Sequence, residues 1–310
     1  MKQILLFLLM LFPLYSNGQG QAIIEPVIMN EVVEPWIETI QLNSGWEMPI
    51  YGIDLSSLSP VQAEIISYQA ICEGFRLLDL AGAPGNEEAV GRGIAKAIEE
   101  GIVTREDLFI SAGIWLEEAE DLTAAGDAAI QDTLTRMSLD YLDLMVLTQS
   151  RFNLNLAAYQ AMERAAESGT IHSIGLAGFY DSWNFDLIVD QNSVIPAVMQ
   201  LEMHPYRQNS ELKEHVMSYG IVFEAKEPLG GGDKQVLFAD PAVSVSATWH
   251  QKTSEQIILR WQMQNGNIAI PSAVDEFQLE EYAGIGEFEL DETEMAEIDV
   301  LDRGLIFVYY

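Results

Sequence analysis

Short apolar runs recur along this chain at residues 77–80, 108–110, 144–147, 174–176, 198–201, 221–223 and 268–270. Each is too short for a helix, and between them lie longer segments whose apolar residues return at helical spacing. A buried run followed by an amphipathic helix is the unit of a parallel sheet with crossover helices, so the pattern predicts an α/β fold. No linker or low-complexity tract interrupts it, which predicts one domain over residues 19–310.

Residues 1–18 break the alternation. One lysine, an apolar run over residues 4–15 and the small residues Ser16 and Gly18 have the form of a secretory signal peptide, too short to span a bilayer. A buried apolar helix is the other reading of the same pattern. The signal reading predicts an exported protein, periplasmic or secreted, whose mature chain begins at Gln19.

A chain of 310 residues with 49% apolar content can bury one large core. Its 48 acidic and 15 basic residues give a formal charge of −33, or −34 once Lys2 leaves with the signal. That field repels polyanions, within a screening length of about 10 Å at 0.1 M salt, so nucleic acid, anionic membranes and phosphorylated ligands are disfavoured. The partner left by this exclusion is a small molecule or a protein. A solvated acidic coat suited to saline surroundings explains the charge, and polycation binding is the alternative. The lone Cys72 forms no intramolecular disulfide and is expected in the core, on the apolar side of its helix.

The segment "GFRLLDLAGAPGNEEAVG" over residues 74–91 combines a strand ending in Asp79 with "GNE" opening a helix. Further blocks follow in order: "REDLFIS", "LDYLDLMVL", "GTIHSIGLAGF", "PAVMQLEMHPY", "LKEHVMSYGIVFEAKEPLG" and "KTSEQIILRWQMQNGNIAIP". With "LNSGWEMPIYGI" before them and "FELDETEMAEIDVLDRG" after, the chain resembles the aldo-keto reductase family from about Ile40 to Gly304. The resemblance implies a TIM (β/α)8 barrel with its chemistry at the carboxyl ends of the strands. It also implies NADP(H) as cofactor and a catalytic tetrad of aspartate, tyrosine, lysine and histidine.

Only the aspartate of that tetrad is kept, as Asp79. Pro84 stands in place of the tyrosine that donates the proton, Gly113 in place of the lysine and Thr148 in place of the histidine. A positioned acid contributes about 10² to 10⁴ in rate, and none of the three replacements titrates near neutrality. The cofactor positions depart in the same way. Ala177 and Gly178 replace the serine and asparagine that hold the nicotinamide amide, and Lys226 replaces the aromatic stacked under the ring. Ser272, Ala273 and Gln278 replace the 2′-phosphate clamp, and Gln200 alone is retained. The expectation is therefore a barrel without cofactor or metal, catalytically inactive, with a binding or structural role. The alternative is an NADP-dependent oxidoreductase rebuilt around Lys226 and Gln200.

Asp54, Asp79 and Glu227 are placed by the resemblance near the barrel mouth, where together they would form an acidic pocket for a cation or amine; separately they would face solvent. His204 in "HPY" is expected to be structural, and His172, His215 and His250 have no zinc spacing. Trp115 is read equally as pocket wall or core. Gly230, Gly231 and Gly232 predict a mobile loop.

Overall fold

The computed structural model of the chain describes residues 38–307, apart from 83, 84, 115 and the side chain of 233. The expected signal segment 1–18, Pro84 and Trp115 lie outside the described residues. Strands β1 (Thr39–Gln41) and β2 (Glu47–Pro49) form an antiparallel hairpin. Eight strands then build one parallel sheet: β3 (Gly52–Asp54), β4 (Leu77–Leu80), β5 (Phe109–Ile114), β6 (Leu142–Thr148), β7 (Ile171–Ala177), β8 (Val198–Glu202), β9 (Val222–Lys226) and β10 (Ile268–Ile270).

The strands neighbour one another in chain order, as right-handed crossovers through helices require. The seam between first and last is drawn together by Ala269 N–H donating to Ile50 O at 3.0 Å and Asp54 N–H to Pro271 O at 3.0 Å. The result is the (β/α)8 barrel. Among the described residues, no helix is long and apolar enough to cross a membrane.

Helix starts follow local chemistry. Ser59 and Gln62 form a reciprocal capping box at Pro60–Cys72, with proline in the first turn where its missing N–H is harmless. Thr253 and Gln256 do the same at Ser254–Gln264. Apolar residues of these helices pack onto the outward faces of the strands to form the main core.

The two ends of the barrel differ. Leu42 and Met48, on and beside the hairpin, pack with Leu77, Phe109, Leu144, Val198 and Ile268 at the starts of the strands, so the amino-terminal end is plugged by apolar contacts. Polar side chains gather at the other end. Asp54, Asp79 and Ser111 are register partners across β3, β4 and β5, and Gln200 pairs in register with Glu224 across β8 and β9. The carboxyl ends of the strands thus form a polar rim of the barrel lumen.

Two expectations are corrected here. Cys72 is exposed rather than core: it is the last residue of its helix, one position past buried Ile71, and the helical rotation turns it outward. The Gly230–Gly232 stretch is not an open loop throughout, since a 3₁₀ turn at Gly231–Asp233 leads into a short helix at Lys234–Phe238.

Candidate functional site

The site is best built outward from Lys226, the last residue of β9. Side chains two apart on a strand share a face, so Lys226 points into the lumen with Glu224. Its stem crosses the mouth and its side chain is 10% exposed. The ammonium lies 3.3 Å from Asp54 Oδ2, 3.6 Å from Asp79 Oδ2 and 3.3 Å from Ser56 Oγ. Asp54 and Asp79 do meet at one mouth as expected. They are not an open cation pocket, because the chain supplies its own cation between them.

Each carboxylate is braced. Ser56 donates to Asp54 Oδ1 from its backbone N–H at 2.8 Å and from its hydroxyl at 2.6 Å. The Ser111 hydroxyl donates to Asp79 Oδ1, and Ala81 N–H to Oδ2 at 3.3 Å. Burial nevertheless lifts the Asp79 carboxyl above its usual range, partly opposed by Lys226 and reinforced by Asp54. Glu224 is fully buried, and desolvation and the charge of Asp79 push its carboxyl well above its usual range. Gln200 donates from Nε2 to Glu224 Oε2 at 3.1 Å. Gln200 Oε1 and Glu224 Oε1 have no partner among the described residues.

The backbone has been shaped to this arrangement. A β-carbon on Gly82 would stand 2.2 Å from Ser56 Oγ and 3.3 Å from Lys226 Nζ, so only glycine leaves room for both. On Gly113 it would meet the carbonyl oxygen of Ala81 at 2.9 Å, with the carbonyl carbon and Cα of the same residue at 3.1 and 3.2 Å, so a side chain there requires the Ala81 backbone to shift.

Above these groups opens a cavity of about 920 Å³. Its floor and walls set the polar side chains of Ser56, Ser57, Thr148, Gln149, Ser150 and Gln200 in a lining that is mostly apolar, with Leu201 and Ile306 among it. Tyr180 and Arg207 form a wall shared with a neighbouring cavity of about 870 Å³. The Arg207 guanidinium sits 4.4 Å over the Tyr180 ring, whose oxygen accepts from Glu202 N–H at 3.0 Å. Glu227 completes the rim in a left-handed backbone conformation, φ 50°, that strains a non-glycine residue by about 1–2 kcal/mol. Burial and the charge of Asp54 raise its carboxyl.

The far wall hangs on Glu202. His204 Nε2 lies 3.1 Å from its Oε1, Phe307 N–H donates to the same oxygen at 2.7 Å, and Arg207 reaches Oε2 at 3.4 Å. Burial raises this carboxyl, but the hydrogen bonds outweigh it and leave it below its ordinary value. His204 is therefore structural, as expected. The other three histidines sit in packing contacts away from the mouth: His172 stacked on Trp46, His215 beside Asp186 and His250 beside Glu294. The sequence reading missed Ser56, Gly82, Ser111, Glu202, Arg207, Tyr180 and Glu224. For Glu202 and Glu224 a signal existed, an acid at inward period-two spacing from His204 and Lys226.

A sequence profile described as the Aldo/keto reductase family matches residues 41–303. The chain belongs to the aldo/keto reductase family. It is 35% identical over 268 residues to an aldo-keto reductase of Mycobacterium sp. (strain KMS), covering 86% of this chain and 93% of that one. It is 31% identical to the NAD(P)H-dependent D-xylose reductase I,II of Candida tropicalis, covering 88% and 95%. Among solved structures, an aldo-keto reductase enzyme from a Medee basin deep-sea metagenome library superposes with a TM-score of 0.79 at 25% identity, over 88% and 97% of the two chains.

Aldo/keto reductases as a family are NAD(P)H-dependent oxidoreductases, so fit to a dinucleotide is a real question for this member. Ala177 and Gly178 bring no side-chain donor to the mouth, and one of the two amide hydrogens of Gln200 is given to Glu224. Lys226 is drawn into its two carboxylates. At the adenosine end Ala273 is buried and Gln278 Oε1 accepts from Val274 N–H, so these positions with Ser272 offer no cation to a phosphate. At these positions the chain offers NADP(H) no cation for its 2′-phosphate and no aromatic ring for its nicotinamide, while Gln200 keeps an unpartnered Oε1.

Proposed function

We propose that this chain is an exported aldo/keto reductase-family barrel that no longer reduces carbonyls and uses its mouth to bind a small, uncharged polar ligand. The observation that carries the reading is the Lys226–Asp54–Asp79 cluster, bedded against Gly82. Lys226 and Asp54 depart from the family pattern, and they meet the retained Asp79 in one cluster beside Gly82. With Gly113 and Thr148 at the places of the tetrad lysine and histidine, the cluster has lost its route to a proton donor and an oxyanion donor. Export rests on the signal-like pattern of residues 1–18, and it agrees with a site that does without a reduced nicotinamide.

The ligand class follows from the lining. Serine, threonine and glutamine side chains offer both donors and acceptors, and the −33 charge works against anions. A relative named for xylose reduction has a pocket of the same ancestry, which supports a small hydroxylated carbonyl compound or sugar.

A second reading, an NADP-dependent reductase rebuilt around Lys226, has one observation in its favour: the ammonium does stand beside Asp79. Tryptophan quenching by NADPH and NADH, at low and near-molar salt, together with NADPH oxidation in the presence of D-xylose, separates the two. The proposal expects no micromolar binding at either salt and no turnover. Tight binding with turnover dependent on Lys226 would establish the rebuilt reductase instead.

A further inference from the structure

We propose that Lys226 is a covalent trap for neutral hydroxy-aldehydes and hydroxy-ketones, which it captures as a protonated imine in the barrel mouth. The inference rests on the reading of the mouth as a binding site for an uncharged carbonyl compound and adds a bond to it.

Three features of the cluster suit this chemistry. An imine-forming lysine needs its amine at the wall of a cavity large enough for the carbonyl compound, and Lys226 lines the 920 Å³ mouth. It needs a base close by to take the ammonium proton and return it during dehydration. Asp54 at 3.3 Å and Asp79 at 3.6 Å lie beside the nitrogen, and burial raises the Asp79 carboxyl towards the role of proton acceptor. It also needs the charged product to be tolerated. A protonated imine carries the same single positive charge as the ammonium it replaces, so the two carboxylates hold product as they hold reactant.

The step balances without an oxidant or reductant. The ammonium gives a proton to the Asp79 carboxylate, and the freed amine adds to the carbonyl carbon to form a carbinolamine. The carboxylic acid then protonates its hydroxyl, the C–O bond breaks, and water leaves as the C=N bond forms. Asp79 ends as a carboxylate and the nitrogen as a protonated imine. Ser56, Thr148 and Gln149 on the same lining would take the hydroxyl groups of the captured compound.

A buried ion cluster of this kind is not explained by stability alone. Well-packed apolar residues are often as stabilising as a buried charge pair, or more so. Here a lysine stands where the family keeps an aromatic ring, and glycine at position 82 makes room beside it.

The test is reductive trapping. The full chain is incubated with dihydroxyacetone or glycolaldehyde and sodium cyanoborohydride, then analysed by intact mass and peptide mapping. The expected result is one dominant adduct at Lys226, formed about tenfold or more faster than at Lys96, Lys213, Lys234 or Lys252. K226R, which keeps the charge between the aspartates but forms no imine, removes that adduct and leaves slow labelling elsewhere. Labelling of Lys226 at or below the rate of the exposed lysines overturns the inference, whatever the variant does. Failure here with no NADPH binding leaves the binding-site reading standing, whereas Lys226-dependent NADPH turnover removes that reading itself.

Discussion

A β-carbon on Gly113 would stand 2.9 Å from the carbonyl oxygen of Ala81, so a side chain at the strand end that carries the family's catalytic lysine requires the Ala81 backbone to move. Restoring the lysine is therefore not a simple reversal. G113K is expected to destabilise the chain by about 1–3 kcal/mol through overpacking. Even combined with P84Y and T148H it should give no measurable carbonyl reduction. Urea melts and NADPH oxidation assays check both halves, and a stable, active triple variant would contradict the account of the site.

Removing Lys226 as K226M leaves two buried carboxylates facing each other without their cation. Breaking a buried pair in this way costs about 3–5 kcal/mol, a fall in melting temperature on the order of 10 °C. The triple variant D54N/D79N/K226M, which removes all three charges, should recover most of that loss. If K226M melts with the wild type, the cluster is not the tightly coupled unit described.

Glu224 gives a pH signature of one sign. Its carboxyl is raised by burial, so between the ordinary value of 4.5 and its folded value the native state holds a proton that the unfolded state has lost. Stability from this group is present below 4.5 and falls as the pH rises. E224Q removes the penalty. Its melting temperature should match the wild type near about pH 4 and exceed it increasingly towards about pH 7.

Glu202 gives the opposite sign. Its carboxyl is depressed, so its stabilising contribution is present above the ordinary 4.5 and is lost as the pH falls through the lower folded value. E202Q should cost about 1–3 kcal/mol at neutral pH, since Arg207 and Phe307 N–H lose a charged acceptor. The gap between wild type and variant should shrink on acidification from about pH 5 to about pH 3. Thermal melts across that range test it.

Much of the barrel was legible because burial on both faces leaves a strong mark. The runs at 77–80 and 268–270 became β4 and β10, and the resemblance brought Asp79, Gly113, Thr148, Gln200 and Lys226 to one end of one sheet. What Lys226 does there was not legible. Its position at a strand end follows from the motif, but its choice of Asp54 and Asp79 depends on a flexible stem crossing the lumen and on the space left by Gly82. Those are properties of three strands brought together, not of any local stretch. The raised carboxyl of Glu224 was hidden for the same reason: a glutamate two residues from a lysine on a strand reads as a charged pair until its surroundings are known. Cys72 failed at a helix end, where one residue of rotation separates core from surface.

Phe307 donates its backbone N–H to Glu202, and Ile306 beside it lines the large cavity. A single short stretch of chain thus both caps Glu202 and walls the mouth, so a change that loosens Ile306 and Phe307 would reach the ligand and the buried carboxylate together.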